Sequence, residues 1–112
     1  MTYVSQRSET FADALAEARS RAGLSLKQTA DRLNELAGSN VDPQAVHNWE
    51  KGRKVPPSAR MIEHIAAVLD GDAVEWCVLA GKTPVAVSEA LRDVAFAERV
   101  YQLALEHRRH SR

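Results

Sequence analysis

Apolar residues recur along most of the chain at intervals of three and four positions, the spacing of one face of an α-helix. Residues that start and stop helices interrupt this pattern repeatedly. Thr10 precedes the first apolar run and Gly23 ends it. The second run begins at Ser25, where Gln28 completes a capping-box pattern, and Gly38 ends it. The pattern therefore predicts two helices before a polar connection.

A third, shorter helix is predicted after this connection. Asp42 is a good N-cap, and Pro43 suits the first helical position because its missing N–H would be unpaired there anyway. Val46 and Trp49 lie three residues apart, so we expect them to share the inner side, and Gly52 stops the helix.

The remainder of the chain also reads as helical. Ser58 and Asp72 can cap a fourth and a fifth helix, which end at Gly71 and Gly81. A last helical stretch is predicted from about residue 84 to about residue 109. The Val-rich segment "PVAVSEAL" is the one place where a strand could be hidden. The predicted class is all-α, with five helices and an appended C-terminal helix.

Composition limits the function classes that need to be considered. A chain of 112 residues with 45% hydrophobic content suits one domain with an appendage. The single cysteine, Cys77, excludes an intramolecular disulfide and a Cys-cluster metal site. No signal peptide or membrane-spanning run is recognisable, so a cytoplasmic location without a membrane partner is expected. The formal net charge is +0, so any nucleic-acid binding must rest on a local basic patch.

Residues from about 11 to 80 resemble the XRE family of helix-turn-helix domains, the phage Cro and repressor type. The resemblance rests on "LAEARSRAGLSLKQTADRL" and "AVHNWEKGRKVPPSARMIEHIAAVLD", with "WEKGRKVP" matching the end of the family's third helix. It implies a compact five-helix DNA-binding domain, which we assign to residues 1–81. Residues 82–112 lie outside the resemblance and are predicted to be a C-terminal helical extension for oligomerisation. Three features depart from the family: Leu26 replaces a frequent Gln, Thr29 replaces an aliphatic residue, and the connection through "NELAGSN" is longer.

The third helix is the expected DNA-reading helix. The major groove admits one α-helix, and Gln or Asn side chains can make bidentate contacts with adenine. The family positions that read bases fall on Pro43, Gln44, His47 and Asn48, and Pro43 can offer apolar contact alone. The alternative is an ordinary solvated helix face, and His47 could instead cover Trp49 or contact a phosphate.

Basic residues after the third helix are expected to contact DNA phosphates. Lys51, Arg53 and Lys54 form a local positive cluster, although such a run could also be a solubilising loop. The amides at the start of the second helix offer another phosphate site, with Ser25 and Lys27 beside them.

The family resemblance assigns one pair of charged residues to structure. It implies that Arg19 and Glu50 form a partly buried ion pair between the first helix and the end of the third. Removal of either partner is then expected to disturb folding before it disturbs a DNA contact.

The two ends of the chain lie outside the resemblance. Leu91, Val94, Val100 and Leu103 are predicted to lie near one face of the last helix, which must bury its apolar stripe. That face could form a twofold interface with a second copy or pack back on its own domain. Residues 1–7 could be an arm that reaches DNA through Arg7, or an unstructured terminus.

The favoured interpretation is a sequence-specific regulator that binds double-stranded DNA as a homodimeric repressor, without a cofactor or metal. His107 and His110 lie three residues apart, a spacing that could bind a metal. A frayed basic helix end is the favoured interpretation. The alternative is a protein-interaction module with the same fold, such as an antitoxin or antiactivator that binds a partner protein. An enzyme is not indicated, because the chain has no Gly-rich phosphate loop, catalytic triad order or metal cluster.

Overall fold

The structure, a computed structural model, describes residues 10–111 and is all-α within them, as predicted. The segment "PVAVSEAL" is helical rather than extended, and the arm predicted at residues 1–7 lies outside the described residues. The helices are α1 (Phe11–Ala22), α2 (Leu26–Ala37), α3 (Pro43–Glu50), α4 (Ala59–Leu69), α5 (Ala73–Leu79), α6 (Val85–Ala90) and α7 (Val94–His110).

Side-chain caps fix the beginnings of the first five helices. At each one, the oxygen of a Thr, Ser or Asp side chain accepts the backbone N–H three residues on, which satisfies a donor that the helix leaves unpaired. At Ser25 the capping box is complete, because the Gln28 side chain also accepts the Ser25 N–H. These caps are Thr10, Ser25, Asp42, Ser58 and Asp72.

One hydrophobic core holds α1 to α5 together. Helix α4 packs against α2 and α5, while α3 packs against α1 and α2. Thr29 is buried, and its hydroxyl is paired because Oγ1 donates to the Ser25 carbonyl at 2.8 Å. The buried apolar residues are Phe11, Ala14, Leu15, Ala18, Ala30, Leu33, Val46, Trp49, Ile62, Ile65, Ala66, Leu69, Trp76 and Cys77.

The single cysteine belongs to this core. Cys77 is fully buried, and its Sγ lies 3.8 Å from the carbonyl oxygen of Ala59. Burial raises the pKa of the Cys77 thiol, and the nearby negative charge of Glu63 raises it further. The thiol therefore stays protonated and acts as a small apolar side chain.

Gly71 serves a purpose that the sequence pattern did not reveal. The left-handed residue that ends α4 is Asp70, with φ 56°, and not the glycine. A Cβ on Gly71 would lie only 2.6 Å from Cη2 of Trp76. That indole also packs edge-on against Phe11, with ring centroids 6.0 Å apart. Gly71 is therefore required for space beside Trp76.

The stretch predicted to be helical over residues 84–109 is helical, but it is divided into two helices, α6 and α7. Helix α6 ends at Leu91, and the Asp93 side chain caps α7 by accepting the Phe96 N–H at 3.1 Å. An Asp at this position stabilises a new helix start more than it stabilises a continuous helix. Val94 and Leu103 lie about 2.5 turns apart along α7, so they point to opposite sides of it rather than to one face.

The last two helices differ in how they are attached. Helix α6 is held by Glu63 of α4, whose carboxylate accepts the Val85 N–H at 2.9 Å. Helix α7 has no buried residue and makes at most marginal contact with the other helices. Its apolar residues are therefore not covered by the first five helices. None of the described helices is long and apolar enough to cross a membrane.

The contact between Gly71 and Trp76 predicts a large effect of a small substitution. We expect Gly71→Ala to lower the free energy of unfolding by about 1–3 kcal/mol, because the new methyl group must displace a buried ring. Chemical denaturation would measure this change. The same substitution in a Trp76→Phe background should cost less, because a Phe ring does not reach the positions of Cζ2 and Cη2. Equal costs in both backgrounds would show that ring crowding is not the cause.

Candidate nucleic-acid interface

Helix α3 has two different sides. Val46 and Trp49 are 1% and 5% exposed and point into the core. Among the predicted base-reading residues, Pro43 and Gln44 are exposed, while His47 and Asn48 are partly exposed. The structure thus brings these four side chains together on the outer part of a short helix whose inner side is anchored.

The end of α3 is fixed by a charged pair. The Arg19 guanidinium donates through Nε to Oε2 of Glu50 and through Nη2 to Oε1 at 2.9 Å. Its remaining nitrogen, Nη1, donates to the Leu24 carbonyl at 2.8 Å. The hydrogen bond to Glu50 raises the pKa of the Arg19 side chain above its ordinary value. A two-pronged contact of this kind fixes orientation as well as distance.

Two of the predicted base-reading residues are joined by hydrogen bonds. The Asn48 Oδ1 atom accepts from Gln44 Nε2 and from Arg53 Nη1, each at 3.3 Å. Arg53, expected as a phosphate contact, therefore lies against α3. A bidentate contact with adenine needs Asn48 Oδ1 as an acceptor. To contact adenine, Asn48 Oδ1 must exchange one of these long, exposed hydrogen bonds for a bond from the base. The Asn48 Nδ2 group is already available to donate.

The basic segment after α3 is exposed. Lys51 ends the helix, and Gly52 turns the chain with φ 73°, a conformation that favours glycine. Arg53 and Lys54 follow, and the side chains of all three basic residues are exposed. The ion pairs Arg19–Glu50 and Lys27–Asp31 do not involve these three side chains. The segment therefore presents positive charge directly after α3, and a basic segment of this kind can contact phosphates.

The start of α2 is a weaker candidate than the sequence indicated. The Ser25 hydroxyl oxygen accepts the Gln28 N–H, which leaves its own O–H to donate. Lys27 is exposed, but its Nζ atom already lies 2.9 Å from the Asp31 carboxylate, and that hydrogen bond raises the pKa of Lys27. A phosphate at this point would have to compete with Asp31.

The connection between α2 and α3 is held by a residue that the sequence pattern did not single out. Asn34, in the last turn of α2, forms hydrogen bonds to Val41 and Ser39 across the connection. A polar Asn near a helix end followed by Gly-Ser-Asn is a weak signal for such bonding. The partner seven residues away was not predictable from that signal.

Removal of one ion-pair partner should disturb the fold. We expect Arg19→Ala to lower the free energy of unfolding by about 3 kcal/mol, because the largely buried Glu50 carboxylate loses its partner. The matched control is Lys27→Ala, which breaks the exposed Lys27–Asp31 pair and should leave stability unchanged within error. Urea denaturation of both variants would check this. Similar, small changes in both would contradict the proposed role of the pair.

Comparisons with known proteins place the chain in a family. A family model described as a helix-turn-helix domain matches residues 10–76, more than half of the chain. The match spans α1 to α4 and the first part of α5, including α3 and the basic segment after it. No curated protein and no solved structure matched the chain. The chain belongs to the helix-turn-helix domain family.

Proposed function

We propose that this protein is a sequence-specific transcriptional regulator of the XRE type that binds double-stranded DNA and acts as a homodimeric repressor. The observation that carries the proposal is the two-sided α3, with an anchored apolar side and an outer side of Gln44, His47 and Asn48. Residues 1–81 would form the DNA-binding domain and residues 82–112 an oligomerisation segment. Such a regulator would act in the cytoplasm by occupying promoter DNA, without chemistry.

The proposed docking places α3 in the major groove. Gln44 and Asn48 would read base edges, with Pro43 and His47 beside them. Lys51, Arg53 and Lys54 would contact phosphates on one side, and Ser25 with Lys27 a phosphate on the other. The exposure of the basic segment and its position directly after α3 support this arrangement.

The proposed dimer uses the uncovered face of α7. Phe96, Val100 and Leu103 follow one another at intervals of four and three residues, which places them on one side of the helix. Leu103 is 64% exposed, and Val94 and Tyr101, on the other side, are 69% and 61% exposed. An apolar helix surface of this width favours burial against another chain. A twofold dimer would also suit DNA, because two reading helices could meet major grooves about 34 Å apart.

Measurements of DNA affinity should distinguish residues that read bases from residues that contact phosphates. Fluorescence anisotropy would compare labelled DNA flanking the protein's own gene with a scrambled duplex at several salt concentrations. We expect Gln44→Ala/Asn48→Ala to lose about 30-fold or more in discrimination, because it removes two bidentate base contacts that each contribute about 1–3 kcal/mol. Its salt dependence should be unchanged.

The matched control for that experiment is Lys54→Ala. It should weaken binding to both duplexes alike and reduce the salt slope by about one, because a phosphate contact carries no sequence information. Weak binding of the wild type, equal on both duplexes and indifferent to all three substitutions, would contradict DNA reading. That result would instead favour a protein-interaction module.

The dimer proposal predicts an effect of charge on one side of α7 only. We expect Leu103→Glu to convert the dimer to monomer, because it places a carboxylate in the apolar interface. Gln102→Glu adds the same charge at a neighbouring exposed position and should leave the dimer intact. Sedimentation velocity would give both masses. A wild-type monomer at all concentrations would refute the interface.

A further inference from the structure

Five residues, 38–42, connect α2 to α3 in place of a tight turn. Gly38 ends α2 in a left-handed conformation, with φ 66°, and its N–H donates to the Asn34 carbonyl at 2.8 Å. A connection of this length does not by its own geometry fix where the next helix begins. Some other contact must hold the chain before α3.

The Asn34 side chain provides that contact. Its Nδ2 donates to the Val41 carbonyl at 2.7 Å, and its Oδ1 accepts the Val41 N–H at 2.7 Å. The same Oδ1 accepts the Ser39 hydroxyl at 2.8 Å. The backbone N–H of Val41 can only donate, so the amide group of Asn34 has one orientation that satisfies both bonds.

These bonds act close to the start of the reading helix. Val41 is followed by Asp42, the N-cap of α3, and then by Pro43 and Gln44. One amide therefore holds both backbone groups of a residue that lies two positions before α3. Two bonds to one residue restrain rotation of the chain as well as its distance from α2. The beginning of α3 is thus tied to α2, while its end is tied to α1 by the ion pair with Glu50.

We propose that Asn34 is a positioning residue for sequence reading, which sets the height and rotation at which the first turn of α3 is presented to base edges. The proposal rests on the proposed DNA-reading function of α3. Base discrimination depends on placement to a fraction of an ångström, whereas phosphate attraction tolerates small shifts. A positioning role therefore predicts a loss of discrimination without an equal loss of general DNA affinity. A purely stabilising role instead predicts either no change or an equal loss of affinity for every duplex.

The first arm of the test needs no DNA. Amide hydrogen exchange followed by NMR would compare wild type with Asn34→Ala and with Asn40→Ala, an exposed Asn in the same connection outside these bonds. In Asn34→Ala, exchange at Val41 and in the first turn of α3 should be at least about tenfold faster, while α4 is unchanged. Asn40→Ala should match wild type.

The second arm measures sequence preference. Each protein would select from a random duplex pool, and anisotropy would then compare the selected duplex with a scrambled one. We expect Asn34→Ala to lose about fivefold or more in discrimination, while its affinity for the scrambled duplex stays within about twofold. Ser39→Ala keeps both Val41 bonds and should behave as wild type. If Asn34→Ala does not fold, Asn34→Asp retains the two accepted bonds and takes its place.

The outcomes separate this proposal from the function on which it rests. Unchanged exchange and unchanged discrimination in Asn34→Ala would overturn the positioning role. So would an equal loss of affinity for both duplexes. If wild type itself selects no sequence, the proposed function fails, and the exchange data alone decide whether Asn34 positions α3.

Discussion

The Arg19 guanidinium connects the three segments on which the outer surface of α3 depends. It joins α1 to the end of α3 through Glu50 and to the α1–α2 turn through the Leu24 carbonyl. Removal of two charges from water is costly, and the attraction between them offsets that cost only where geometry is good and the remaining donors are paired. Here the contact with Glu50 is two-pronged, and the third guanidinium nitrogen also donates a hydrogen bond. The pair therefore fixes where α3 ends, and with it where the chain turns outward at Gly52 into the basic segment.

An eight-residue helix such as α3 would not be stable in water by itself. It persists because Asp42 caps its beginning, Val46 and Trp49 are buried, and neighbouring helices hold both ends. Its outer side is then free to carry polar side chains that contribute nothing to the core. Rigid support beneath an exposed polar surface is what specific recognition requires, because mobile side chains would lose discrimination. The uncovered α7 has no such support within one chain.

Much of the fold could be predicted because its signals are local. Capping residues act within three positions, so the starts of α1 to α5 followed from the sequence. Two details were missed: a side-chain contact five residues along the chain and one further capping residue. Gly71 is needed beside Trp76 rather than for its φ angle, and Asp93 starts a new helix where a continuous one was predicted. In the candidate site, the sequence indicated which residues share the outer side of α3. It did not indicate the bond from Arg53 to Asn48, which depends on how the chain turns.

The most direct test of the account maps where DNA touches the protein. Amide chemical shifts of the labelled protein would be followed while a duplex of arbitrary sequence is added at low salt, where phosphate attraction alone gives binding. We expect the largest shifts in α3, in residues 51–54 and at the start of α2, with little change in α4 and α7. Shifts centred on α5 or α7, or no shifts at all, would contradict the proposal that α3 is presented to DNA.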